Sequence, residues 1–139
     1  MNVLDHEKLH QKYFEELSRI PRASFKEERV SDYLEDFART RGLDYKRDTI
    51  GNVVIYKPGT KGYENAEPVI LQGHLDMVCQ KTEDSTMDFA KDGIEAFTDG
   101  DFIKAKGTTL GADNGIAVSM IMTILASRNL PHPPIEAVF

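Results

Sequence analysis

The sequence predicts a single α/β domain in which helices flank a mixed, mainly parallel sheet. Three observations predict it. Amphipathic helical segments occupy the first forty residues, the apolar run Val69-Ile70-Leu71 shows no helical period, and an almost wholly apolar helix from Ile116 to Ala126 separates that run from a further strand at Ile135 to Phe139. A chain of 139 residues is one domain. At this size roughly two-thirds of the unfolded surface is buried on folding, enough for a core without disulfide or metal staples.

Each element has its own signal. Leu9, Tyr13, Leu17 and Ile20 fall on one helical face, and Pro21 closes the segment. Ser24 with Glu27 forms a capping-box pattern ahead of Val30, Tyr33, Leu34, Phe37 and Ala38, and Gly42 stands where the helix should end. Leu43 to Asp48 and Asn52 to Lys57 read as strands around a Thr49-Ile50-Gly51 turn, with loop chemistry from Pro58 to Gly62. Val69-Ile70-Leu71 suits a buried central strand leading through Gln72-Gly73 into His74-Leu75-Asp76. Ile94 to Thr98 and Phe102 to Lys106 form a hairpin around Asp99-Gly100-Asp101. The apolar helix follows Gly111-Ala112-Asp113-Asn114-Gly115 and is expected to be buried on nearly all sides. Pro131, Pro133 and Pro134 end it, and the strand begun at Ile135 runs to Phe139 with no polar tail, so the natural protein is expected to continue. The sheet edge beside Ile135 to Phe139 is then expected to be open and to favour self-association.

Composition excludes several classes of function. A formal net charge of −6 repels phosphate backbones and anionic membranes, so nucleic acid and membrane are not expected as partners. The uncharged stretch from Asn114 to Ser127 is shorter than the roughly 20 residues a bilayer requires. A lone Cys79 and an N-terminus without a basic-then-apolar layout point to a reducing cytoplasm.

The chemistry-bearing candidates differ in quality. His6-Glu7-Lys8-Leu9-His10 matches the H-E-x-x-H zinc pattern, but it lies at the chain start with Lys8 inside it, and reads as two partly exposed histidines on a terminal helix. His74 and Asp76 share a side of an extended segment, roughly 6 to 7 Å apart, where an imidazole can ligate a metal and a carboxylate can fix its tautomer. The alternative is a His and an Asp hydrogen-bonded in a loop. Asp113 reads either as the N-cap of the apolar helix or as a carboxylate that ligates a cation, with flanking glycines leaving room. Cys79 has the opposite parity and reads as buried and inert. His132 reads as a rigid loop residue among prolines, and Glu83, Asp84 and Asp88 as a solvated loop. No P-loop, G-x-G-x-x-G or G-x-S-x-G motif is present.

Together, Val69-Ile-Leu-Gln-Gly-His74-Leu-Asp76-Met-Val-Cys, Asp88-Phe89, Gly107-Thr-Thr-Leu-Gly-Ala-Asp113-Asn-Gly and Leu130-Pro-His-Pro-Pro-Ile-Glu resemble the aminoacyl-histidine dipeptidases, also called Xaa-His dipeptidases or peptidase D. The similarity extends to Tyr13-Phe-Glu-Glu-Leu and Ile20-Pro-Arg. It implies a cytosolic dinuclear zinc peptidase whose α/β catalytic domain is interrupted by a second domain, with residues 1–139 as the N-terminal portion of the catalytic domain and no lid domain. It further implies two Zn2+ per intact site (Mn2+ or Co2+ being the substitutes), His74 as a metal ligand, Asp76 as the catalytic-site residue that orients it, and Asp113 as a bridge between metals. The family's Glu-Glu pair, general base and further ligand, would follow the strand begun at Ile135 and lies beyond Phe139. The implied partner is a dipeptide substrate, with homo-oligomerisation left open, and the chain alone is expected to be inactive. Two alternatives remain: another amidohydrolase of the wider group, such as a carboxypeptidase or deacylase, and a non-catalytic partner-binding module.

Overall fold

The computed structural model describes residues 3–139. Three helices and six strands follow one another as α1 (Leu9–Ser18), α2 (Glu28–Thr40), β1 (Asp44–Arg47), β2 (Val53–Lys57), β3 (Val69–Gln72), β4 (Ala96–Asp99), β5 (Phe102–Ala105), α3 (Ala112–Ala126) and β6 (Ile135–Val138). The α/β class with a mixed sheet and flanking helices is thus borne out. The main sheet has the order β1-β2-β6-β3, and β4-β5 form a separate hairpin.

Connection length explains the pairing. The turn after β1 is short, closed by the Asp48 carboxylate accepting from the backbone N–H of Ile50 and Asn52, so β1 and β2 are antiparallel. The long path from β3 through α3 to β6 is a crossover, and that strand pair is parallel; β2–β6 is antiparallel. The sheet is therefore not mainly parallel over these residues. The crossover also corrects two further expectations. β6, with Ile135 and Ala137 buried, is inserted between β2 and β3, so the Ile135 to Phe139 edge is covered on both sides. The Val69-Ile70-Leu71 strand is the edge strand instead, with Ile70 66% exposed.

Helix boundaries shift for local reasons. α1 ends at Ser18, whose hydroxyl donates to the carbonyl of Phe14, and Ile20 follows in a turn. Ser24 does not cap α2: the helix starts at Glu28, and the Glu27 carboxylate turns back to accept from the N–H of Phe25. α3 is buried along Val118, Ile121, Met122 and Leu125 but exposes Ile116 and Met120, so one stripe of the apolar helix faces solvent.

The core joins Leu17 of α1, Val30 and Leu34 of α2, Val53 and Ile55 of β2, and Val118 and Met122 of α3, each at most 1% exposed. Full burial of such a side chain contributes roughly 1.5–3 kcal/mol. Glu15 is buried beside this core and earns its place through hydrogen bonds: its carboxylate accepts from the N–H groups of Val3 and Leu4, pairs with His6 Nε2 at 2.9 Å and with Arg19 Nη2 at 2.6 Å. At the other end of the sheet Lys57 Nζ donates to the carbonyls of Ile124 and Ser127, closing the C-terminus of α3.

Candidate functional site

The site lies where β3 and α3 meet. Gly73 ends the strand and donates its N–H to the carbonyl of Val138, while a Cβ there would stand 3.2 Å from Val118 Cγ2, so the chain passes tightly against α3 as it leaves the sheet. Leu75 then turns into the core, 6% exposed, and leaves His74 and Asp76 on the outer side. Gly111, at φ +75°, turns the approaching chain into α3, and Asp113 keeps non-helical dihedrals of −95° and 99°. Its carboxylate makes no helix cap and projects into solvent, 94% exposed.

This geometry brings His74, Asp76 and Asp113 together. His74 Nε2 is 3.0 Å from Asp113 Oδ1, and His74 Nδ1 is 3.0 Å from Asp76 Oδ1 and 3.0 Å from the Asp76 carbonyl. Asp76 Oδ2 accepts from the Ser24 hydroxyl. The sequence reading missed Ser24 in this role, because the capping-box spacing with Glu27 accounted for it locally.

Both imidazole nitrogens face acceptors alone, a setting that favours the doubly protonated ring. Partial burial works against that charge, but the hydrogen bonds to Asp113 and then Asp76 outweigh it and raise the His74 pKa above its ordinary value. The Ser24 hydroxyl, followed by His74, holds the Asp76 carboxyl below the usual carboxylate range despite partial burial. A serine nucleophile is not indicated, since Ser24 donates to the carboxylate and not to the imidazole.

The donor set suits a borderline divalent cation in kind: one imidazole nitrogen and one carboxylate, with the other nitrogen tied to a second carboxylate. In number it falls short, for among the described residues no group of three or more His, Cys, Asp or Glu side chains is arranged to hold a metal ion. A cavity of about 700 Å³ lies elsewhere, between Phe25, Ile50, Phe89 and Arg47, and none of the three site residues lines it.

The other candidates stand apart. His6 precedes α1 and pairs with Glu15, so His6 and His10 do not share a zinc-binding helix. Cys79 is half-buried, not fully buried as expected, and sits near the Met77 carbonyl with its thiol pKa pushed up by burial. His132 is buried and fastens the loop at Thr60, donating its N–H to Thr60 Oγ1 while its carbonyl accepts from the Thr60 N–H.

The fold is that of peptidase structures. The aminopeptidase PepT from Bacillus cereus superposes with a TM-score of 0.73 over 98% of this chain and 36% of that one, at 22% identity, a likeness of fold alone. Two relatives are much nearer in sequence. The aminoacylhistidine dipeptidase from Vibrio alginolyticus superposes with a TM-score of 0.92 at 42% identity, over 97% of this chain and 28% of that one. The cytosol non-specific dipeptidase of Escherichia coli (strain K12) is 46% identical over 123 residues, 88% of this chain and 25% of the relative. The resemblance to aminoacyl-histidine dipeptidases seen in the motifs is borne out by both, and the chain spans about a quarter of their length. No protein-family model matches the chain. No helix among the described residues is long and apolar enough to cross a membrane.

Proposed function

We propose that this chain is the N-terminal portion of the catalytic domain of a cytoplasmic, metal-dependent dipeptidase acting on Xaa-His and related dipeptides. The observation that carries the reading is the His74–Asp113 contact of 3.0 Å, backed by Asp76, in a chain 46% identical to a dipeptidase. In this reading His74, through Nε2, and Asp113, through its carboxylate, would hold Zn2+, for which Mn2+ or Co2+ are the substitutes, Asp113 being the residue shared between two cations. The bound metal supplies Lewis-acid polarisation of the peptide carbonyl and an activated water. The chain's own residues do the positioning. Asp76 holds the proton on His74 Nδ1 and so directs the Nε2 lone pair outward; Ser24 fixes Asp76 by occupying its second oxygen.

Two direct donors are fewer than the three that a catalytic zinc takes from protein, so the 139 residues alone bind zinc weakly and hydrolyse nothing in this reading. That donor count also supports a non-catalytic binding module as second reading. Homo-oligomerisation belongs to the same proposal.

The test replaces the matched segment of the E. coli dipeptidase with this chain. Zinc-dependent hydrolysis of Xaa-His dipeptides, lost on His74→Ala or Asp113→Ala, is the expected result. A folded chimera that binds zinc without cleaving dipeptides, or cleaves only N-acyl amino acids, overturns it in favour of a non-catalytic module or a deacylase respectively.

A further inference from the structure

Arg22 is 2% exposed, yet no carboxylate lies within ion-pair distance of it among the described residues. Its guanidinium is spent on backbone carbonyls. Nη1 donates to Leu75 at 2.9 Å and more weakly to Asp76 at 3.4 Å, while Nη2 donates to Gly111 at 2.7 Å. Nε is buried without a partner, and desolvation lowers the pKa of the group. The surroundings are cut to fit this side chain. A Cβ on Gly111 would stand 2.6 Å from Nη2, and one on Gly115 would stand 2.8 Å from it.

The three carbonyls belong to the two loops that carry the site. Leu75 and Asp76 follow His74; Gly111 precedes Asp113 by two residues. The neighbouring backbone reinforces the arrangement: Met77 donates its N–H to the Arg22 carbonyl at 3.0 Å, and Ala23 pairs with Met77. A planar fork with donors at fixed angles holds two such loops in one relative position, which a single-point ammonium does not. Other bonds between the loops, from Thr109 to Val78 and Gln80, lie farther along the chain from His74.

We infer that Arg22 is a positioning residue that sets the His74 Nε2 to Asp113 Oδ1 separation by clamping the Gly111 loop to the Leu75–Asp76 loop. The inference rests on the metal-binding reading only where affinity is the readout.

The test uses the 139-residue chain. In the metal-free protein, amide resonances of residues 74–77 and 111–115 are compared for wild type, Arg22→Met, Arg22→Lys and Gly115→Ala, with folding checked by thermal melting. All three variants are expected to shift both loops while β1 and α2 stay in place, including Gly115→Ala, which keeps the guanidinium but crowds it. Zinc affinity by equilibrium dialysis is then expected to fall at least tenfold in Arg22→Met and Arg22→Lys. Unmoved loops in a folded Arg22→Lys or Gly115→Ala chain overturn the inference, as does wild-type zinc affinity in both Arg22 variants. Shifted loops in a chain whose wild type takes up no measurable zinc uphold the clamp, and the metal reading is then decided by the zinc-dependent activity of the dipeptidase chimera.

Discussion

His74 Nε2 and Asp113 Oδ1 stand 3.0 Å apart although the residues are 39 positions apart in the chain. The contact exists because β3 delivers His74 at its end, the tight passage at Gly73 presses that end against α3, and the non-helical start of α3 turns Asp113 outward. An imidazole between two carboxylates carries a proton well, and the same two groups release it to receive a cation.

Replacing either member should remove metal binding. His74→Ala and Asp113→Ala are each expected to lower zinc affinity by at least tenfold, and Asp76→Asn by roughly 10- to 100-fold through the loss of ring orientation. His6→Ala and His10→Ala should leave affinity unchanged. Equilibrium dialysis with metal analysis reads all five, and unaltered affinity in Asp113→Ala would remove that residue from the donor set.

Zinc uptake should depend on pH in a defined direction. The His74 pKa is raised, so the protonated ring and its pairing with Asp113 persist to a pH above the ordinary histidine value and are lost as pH rises through the raised one. Metal competes with that proton. Affinity should therefore climb with pH, with a midpoint above 6.5, the ordinary histidine pKa. Dialysis across that range is the measurement, and a flat profile contradicts it.

Ser24→Ala should weaken zinc binding without unfolding the chain. Asp76 is partly exposed, so losing one charge-assisted hydrogen bond is expected to cost only about 1 kcal/mol, near a fivefold change in affinity. Arrest of folding in this variant would show that the hydroxyl serves the core instead.

Glu15 adds to the acid sensitivity of the fold. Burial raises its pKa, but the N–H groups of Leu4 and Val3, with His6 and Arg19, bring it down to about 2. Its contribution is full above its ordinary 4.5 and is lost as pH falls from there toward about 2. The shift corresponds to roughly 3 kcal/mol. Glu15→Gln should forfeit most of that at pH 7 and little at pH 2, as read by urea unfolding at both.

How much of this was legible in the sequence differs by element. The hairpins and helices were, because turn residues and apolar spacing are local. The residue trio was too, since His74 and Asp76 lie in one short segment and Asp113 in a glycine-flanked one. Strand order was not: Val69-Ile70-Leu71 is apolar on both faces, and such a run is the same at an edge as at a centre. The supporting shell was equally hidden. Ser24 reaches Asp76 across 52 residues and Arg22 reaches Gly111 across 89, and both had plausible local readings or none.

Core burial offers a control for these site variants. Leu34 is completely enclosed, and Leu34→Ala is expected to destabilise the chain by roughly 2–5 kcal/mol. Chemical denaturation checks it, with Ile70→Ala on the open edge expected to cost far less.

The placement of β6 has a consequence in time. Among the described residues it follows the other five strands in sequence yet lies between two of them, so β2 and β3 have no bond to each other and neither can complete its ladder there until Ile135–Val138 has arrived. The sheet therefore assembles late, through pairings of long sequence separation that make folding slow, while α1, α2 and the β1–β2 hairpin can form early. Until that insertion, Val53, Ile55 and Leu71 wait with open edges, the state in which these strands are most exposed to wrong pairing and aggregation.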